Sequence, residues 1–207
     1  MNNWVLASGG NEFHIEYQEA DLAALNKRKD KNQPLLIVVT APHPTQELAY
    51  KLAKKYFNNM DIDTEMSNIL SKDDLNDKNI NQLLDYSAIY FAGGTPSRLT
   101  SCFIDTKAES ALQKAIENEV VFMGSSAGAM FFGKEVVMPN GESLGRGLNI
   151  LENCIALAHF SGTWPQWSTG YQDRGFKIIG LGEGGSFLTN PQLNENSQEF
   201  GSVEVKI

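Results

Sequence analysis

Short continuous apolar runs alternate along this chain with stretches of helical spacing. Residues 35–40 (Leu-Leu-Ile-Val-Val-Thr) are continuous and rich in β-branched side chains, which predicts a strand buried on both faces. Residues 4–8, 88–92 and 120–123 read in the same way. Between these runs the period changes. Gln46–Asn58 carries Leu48, Ala49, Leu52, Ala53, Tyr56 and Phe57 on one face and lysines on the other, predicting an amphipathic helix. Residues 16–29 set Tyr17, Ala20, Leu22, Ala24 and Leu25 at helical spacing, and residues 79–85 carry a shorter helical pattern. Ala108, Ala111, Leu112, Ala115 and Ile116 repeat at three and four. Ile62, Thr64 and Met66 alternate, as an edge strand does. Strands alternating with helices imply βαβ units, hence an α/β fold: a mostly parallel sheet with helices on both faces, in three α/β/α layers.

The pattern thins downstream of residue 130. Residues 135–138 predict a short strand, Pro139-Asn140-Gly141 a turn, and 145–151 a glycine-punctuated loop. Residues 154–159 read as a strand ending in His159, followed by an irregular aromatic stretch over 160–174 with Trp164, Trp167 and Tyr171. Lys177–Leu181 is a strand that runs into Gly182-Glu183-Gly184-Gly185, and residues 186–189 and 202–206 predict closing, antiparallel strands. Neither an internal repeat nor a linker interrupts the chain, so a single domain over residues 1–207 is expected.

Composition narrows the function classes. A formal net charge of -8 over 207 residues argues against binding nucleic acid or an anionic membrane. The amino-terminal run is four apolar residues long with no basic segment before it, and no stretch approaches a membrane span. Cys102 and Cys154 both sit among apolar neighbours, which reads as two buried thiols in a reducing compartment. A cytoplasmic protein is the expectation. The three histidines lack ligand spacing, so neither a metal nor another cofactor is expected.

One stretch carries candidate chemistry. Val-Val-Phe-Met (120–123) leads into Gly124-Ser125-Ser126-Ala127-Gly128-Ala129, a G-x-S-x-G pattern between a predicted strand and a predicted helix. A serine on so sharp a turn projects its hydroxyl clear of the backbone, beside the unpaired N–H groups of a helix start. A tight glycine-lined core turn is the plain alternative. A nucleophilic serine needs a base, and His159 at a strand end suits that role better than His43, between prolines far upstream, or His14 in a polar segment. The orienting acid is Glu183 in its glycine frame, or else Glu135, Glu142 or Glu152, which lie between serine and histidine. Oxyanion donors are expected from the Ala127 N–H and from Gly94 or Gly93, in the Gly-Gly-Thr-Pro segment that follows a strand.

Taken together, Ala92-Gly93-Gly94, Gly-Ser-Ser-Ala-Gly-Ala, Gly-Leu-Asn-Ile-Leu ahead of Ala-His-Phe, and Ile-Ile-Gly-Leu-Gly-Glu-Gly resemble the peptidase E (α-aspartyl dipeptidase) and cyanophycinase family. The resemblance implies a flavodoxin-like sheet of the class I glutamine-amidotransferase type. It also implies a serine peptidase with Ser126, His159 and Glu183 as its triad and Gly94 and Ala127 in its oxyanion hole. The expected partner is a small peptide, with N-terminal aspartate a possible preference, and the expected assembly is a monomer or homodimer. The segment after His159-Phe160 departs from the aspartyl dipeptidases in being short and aromatic. Arg174 is its only arginine before Glu183, so Arg174 is the candidate for meeting an acidic substrate side chain, with Trp164 and Trp167 lining the site. Two rivals stand beside this reading: an α/β-hydrolase esterase, with its acid before the histidine, and a non-catalytic amidotransferase-like binding module.

Overall fold

The computed structural model describes residues 3–10, 12–191 and 197–206. Its main sheet takes five parallel strands from the first part of the chain: β1 (Val5–Ser8), β2 (Leu35–Val38), β3 (Thr64–Met66), β4 (Ala88–Phe91) and β5 (Val121–Ser125). Helices intervene: α1 (Gln18–Leu25), α2 (Gln46–Asn58), α3 (Asp77–Gln82), α4 (Pro96–Phe103), α5 (Lys107–Glu117) and α6 (Ala127–Phe131). The later chain adds β6 (Glu135–Val137), β7 (Ser143–Arg146), β8 (Cys154–Ala158), α7 (Trp167–Gln172), β9 (Lys177–Leu181), β10 (Ser186–Thr189), β11 (Gln198–Phe200) and β12 (Val203–Lys206). The main sheet runs β11-β10-β1-β5-β4-β2-β3, with β10 and β11 antiparallel additions beyond β1.

Alternation along the buried strands builds the layers. Leu35 and Ile37 of β2, Tyr90 of β4 and Met123 of β5 point to one face, where α1 and α2 cover them with Ala20, Ala24, Ala53 and Phe57. Leu36, Val38, Phe91 and Phe122 point to the other, against Leu99 and Phe103 of α4, Leu112 of α5 and Phe131 of α6. Because both faces are covered, these strands carry no polar alternation. The fold is α/β with a mostly parallel central sheet.

Four features depart from the sequence expectation. First, β8 and β9 leave the main sheet and form a second one, ordered β12-β9-β8, with β8 parallel to β9. They read as buried strands because Cys154, Ala156, Ile179 and Leu181 pack into the core beside α6. Second, Leu48 and Leu52 of α2 are not core: they are 55% and 51% exposed. The sheet accommodates only the narrower stripe of Ala49, Ala53, Tyr56 and Phe57. Third, part of the glycine-punctuated loop becomes β7, the partner of β6 in a hairpin closed at Pro139-Asn140-Gly141. Fourth, the aromatic stretch contains the short helix α7, and β11 lies in a segment whose polar sequence gave no strand signal.

Cys102 and Cys154 are free and buried, and burial pushes each thiol up to about 12. No helix among the described residues is long and apolar enough to cross a membrane.

Candidate active site

The turn after β5 holds Ser126 at φ 49° and ψ -111°, a conformation that side chains other than glycine rarely adopt. Such a residue costs on the order of 1–3 kcal/mol and persists only where its surroundings impose it. Here Ser126 N–H donates to Ser8 O at the end of β1 (2.9 Å), and α6 starts at Ala127. Gly128 lets that helix lie directly on β4. A Cβ there would stand 2.1 Å from the Phe91 carbonyl oxygen, closer than any side chain tolerates. The result is a half-buried Ser126 whose hydroxyl faces outward from the sheet edge.

The partners of Ser126 come from the second sheet. Ala158 and Leu181 stand opposite each other at the ends of β8 and β9, so the chain continues into His159 and Glu183 side by side. The first loop stitches this sheet to the main one: His159 N–H donates to Gly9 O (3.0 Å) and Gly9 N–H to Gly185 O (2.9 Å). Ser126 Oγ then lies 3.0 Å from His159 Nε2, and His159 Nδ1 lies 2.5 Å from Glu183 Oε1. Gly10 presses on this pair, since a Cβ there would be 2.4 Å from His159 Cε1 and 2.6 Å from Nδ1. Among the acids weighed against Glu183, Glu135 is engaged elsewhere. It accepts from Tyr171 Oη (3.0 Å) and Arg174 Nη2 (2.9 Å).

The Gly-Gly segment after β4 reaches Ser126 from the other side. A Cβ on Gly93 would lie 3.3 Å from Ser126 Cβ and 3.4 Å from Glu12 Oε2. The Gly93 N–H, one of the two candidates for the second oxyanion donor, donates to that Glu12 oxygen at 2.6 Å. Among the described residues no acceptor takes the N–H of Gly94 or Ala127. Glu12 itself had no sequence signal, being one acid in a polar segment. Burial pushes its carboxyl up to about 7, with nearby Asp21 adding to the rise and the Gly93 bond opposing it.

Arg174, Trp164 and Trp167 are not brought into contact with these groups. Arg174 pairs with Glu135 and lies over the rings of Tyr171 (4.7 Å) and Phe176 (5.2 Å). Trp164 stacks on Phe160 with centroids 4.4 Å apart, and Trp167 Nε1 donates to Pro139 O. Their apolar surfaces pack against Val137, Ile155 and Ile178 instead. These residues were singled out for their chemistry alone, and packing claimed them.

The sequence model of peptidase family S51 matches residues 4–164. The chain belongs to that family. It is therefore a serine peptidase, and the match takes in Ser126 and His159 and stops before Glu183. Two solved structures have the same fold. One is a peptidase from an acI-B1 Actinobacterium, at 17% identity and TM-score 0.76, covering 99% of this chain and 97% of that one. The other is a putative peptidase E protein from Listeria monocytogenes EGD-e, at 14% identity and TM-score 0.64, covering 99% and 98%. A comparison with curated proteins finds no significant match.

Proposed function

We propose that this S51 peptidase hydrolyses short peptides as an exopeptidase, through an acyl-enzyme formed on Ser126. The observation that carries the proposal is the unbroken chain from Ser126 Oγ through both nitrogens of His159 to Glu183. With Nδ1 protonated and donating to Glu183, Nε2 is left to accept the serine proton, which is the tautomer a general base needs. Ser126 Oγ attacks the scissile carbonyl carbon while His159 takes its proton. The imidazolium, stabilised by Glu183, returns that proton to the departing amine. Water then adds to the acyl-enzyme by the same route in reverse, releasing the acid and restoring the serine. The N–H groups of Gly94 and Ala127 stabilise the negative oxygen of both tetrahedral intermediates. An N-terminal aspartate preference draws no support from Arg174, whose guanidinium is already paired.

The test combines a fluorophosphonate probe with a dipeptide library. Ser126 is expected to label covalently, and Ser126→Ala to lose both labelling and turnover by at least about a thousandfold. A folded wild-type protein that never labels at Ser126 would favour a binding module with an unused elbow.

A further inference from the structure

An open cleft of about 380 Å³ runs from the Gly93-Gly94 segment towards α2, and beyond Gly94 its walls have no part in the steps above. Leu48 and Leu52 of α2, Pro42 and Phe13 give it apolar walls, and Glu12 lies in it with Gly94. Leu48 and Leu52 are also two of the few large apolar side chains that the described chain leaves exposed. They lie outside the stripe of α2 that the sheet covers, so their apolar surface is left to the cleft.

The position of Glu12 sets what the cleft can hold. In a peptide cut after its first residue, the α-ammonium is two bonds from the scissile carbonyl carbon. Its counter-charge must therefore stand beside the nucleophile. Glu183 is committed to His159, whereas Glu12 flanks Ser126 across Gly93, near enough that one methyl on Gly93 would touch both. Only Oε2 of Glu12 is taken by the Gly93 N–H. Among the described residues no lysine, arginine or histidine forms an ion pair with it. Resting on the serine-peptidase reading of Ser126, we propose that Glu12 receives the substrate α-ammonium and that the Leu48–Leu52 cleft encloses an apolar first side chain. The substrates are then short peptides with a free amino terminus and a leucine-like N-terminal residue. An acidic first side chain would set a second carboxylate beside Glu12, with His43 the one basic side chain among the cleft's lining residues. Burial of the Glu12 carboxyl also favours an arriving cation, since pairing removes the penalty on its charged form.

The test uses the full chain with Leu-Leu, N-acetyl-Leu-Leu and Asp-Leu, read by separation of products, alongside fluorophosphonate labelling. Wild type is expected to favour Leu-Leu over its acetylated form by about tenfold to a hundredfold in kcat/KM, as a charge-assisted hydrogen bond implies, and to favour Leu-Leu over Asp-Leu through the apolar cleft. Glu12→Gln keeps a carbonyl oxygen for the Gly93 N–H, and should bring the free-to-acetylated ratio close to one, chiefly through KM. Leu52→Asp should narrow or invert the Leu-Leu preference over neutral small first residues. Three results would overturn the subsite while Ser126 still labels: acetylated and free peptides turned over alike, Asp-Leu cut faster than Leu-Leu, or no Leu-Leu turnover. Loss of labelling at Ser126 would instead remove the peptidase chemistry on which the subsite rests.

Discussion

Replacing Gly10 by alanine isolates how precisely the imidazole must be placed. The added methyl would fall 2.4 Å from His159 Cε1, 2.6 Å from Nδ1 and 3.0 Å from Glu183 Oε1. Ordinary carbon contacts begin near 3.5 Å, so ring and methyl must separate by about 1 Å. Gly10 is not among the glycines with a positive φ, so alanine adds no backbone strain of that kind. The backbone just before Gly10 is held by the Gly9 hydrogen bonds to Gly185 O and from His159 N–H. The ring therefore moves, and its side chain is 53% exposed, so it can swing outward. A shift of that size carries the 3.0 Å contact with Ser126 past hydrogen-bonding range. A misplacement of about 1 Å costs on the order of a hundredfold in rate. Stability should change little, because an exposed His–Glu pair contributes no more than about 1 kcal/mol. The assay is the second-order rate of fluorophosphonate labelling for Gly10→Ala and wild type, with thermal midpoints measured in parallel. Labelling at the wild-type rate would refute the argument. A large loss of stability would show that the loop, not the ring, had yielded.

Other expectations follow from the same geometry. Glu183→Gln should fold normally and lose roughly a hundredfold to ten-thousandfold in kcat, since the amide no longer fixes the imidazole tautomer. Full activity would move the orienting role to another acid. Asp21 is buried on α1, accepts from Tyr56 Oη at 2.7 Å, and is pushed by burial up to about 7. The unfolded chain gives up this proton near pH 4 and the native chain near pH 7, so stability should fall as pH rises between those values. The slope is about 1.4 kcal/mol per pH unit, and it levels off above the native value. Glu12 adds a contribution of the same sign, and Tyr56 and Tyr90 are the other titratable groups close to this pair. Asp21→Asn should flatten the slope, and denaturant midpoints at pH 5 and 7.5 that differ as much in the variant as in wild type would contradict it. Arg174→Ala removes a half-exposed ion pair, so it should cost under about 1 kcal/mol and leave the ratio of Asp-X to Ala-X turnover unchanged. A collapse of Asp-X turnover alone would restore Arg174 to the substrate site.

Local signals were enough to read the parallel sheet and the elbow. A run such as Leu35 to Val38 can be stable only with helices on both sides, and a strand leading into Gly-Ser-Ser-Ala-Gly leaves few conformations for the turn. The pairing of Ser126 with residues 159 and 183 was also legible, because each lies just past an apolar run. What the sequence could not state is that those runs belong to a different sheet. An apolar run reports burial and not its partner, and β8 and β9 are buried by α6 as fully as by a neighbouring strand. The same limit misplaced Leu48 and Leu52. Helical spacing marks a side of α2, but the width of the sheet beneath decides how much of that side is covered.

Arg174 and Glu12 mark the remaining division. Residue type made Arg174 attractive for an acidic substrate, and a contact 39 residues away in sequence, Glu135, had already claimed it. Glu12 had nothing to distinguish it until folding set it 81 residues from its own position in the chain, against the Gly93 amide. The chain alone determined which apolar segments are the buried parallel strands and where the turn at Ser126 falls. Tertiary structure decided which charges are neutralised and which are left facing a cleft, because Coulomb energies and desolvation depend on distances through space that local sequence does not encode.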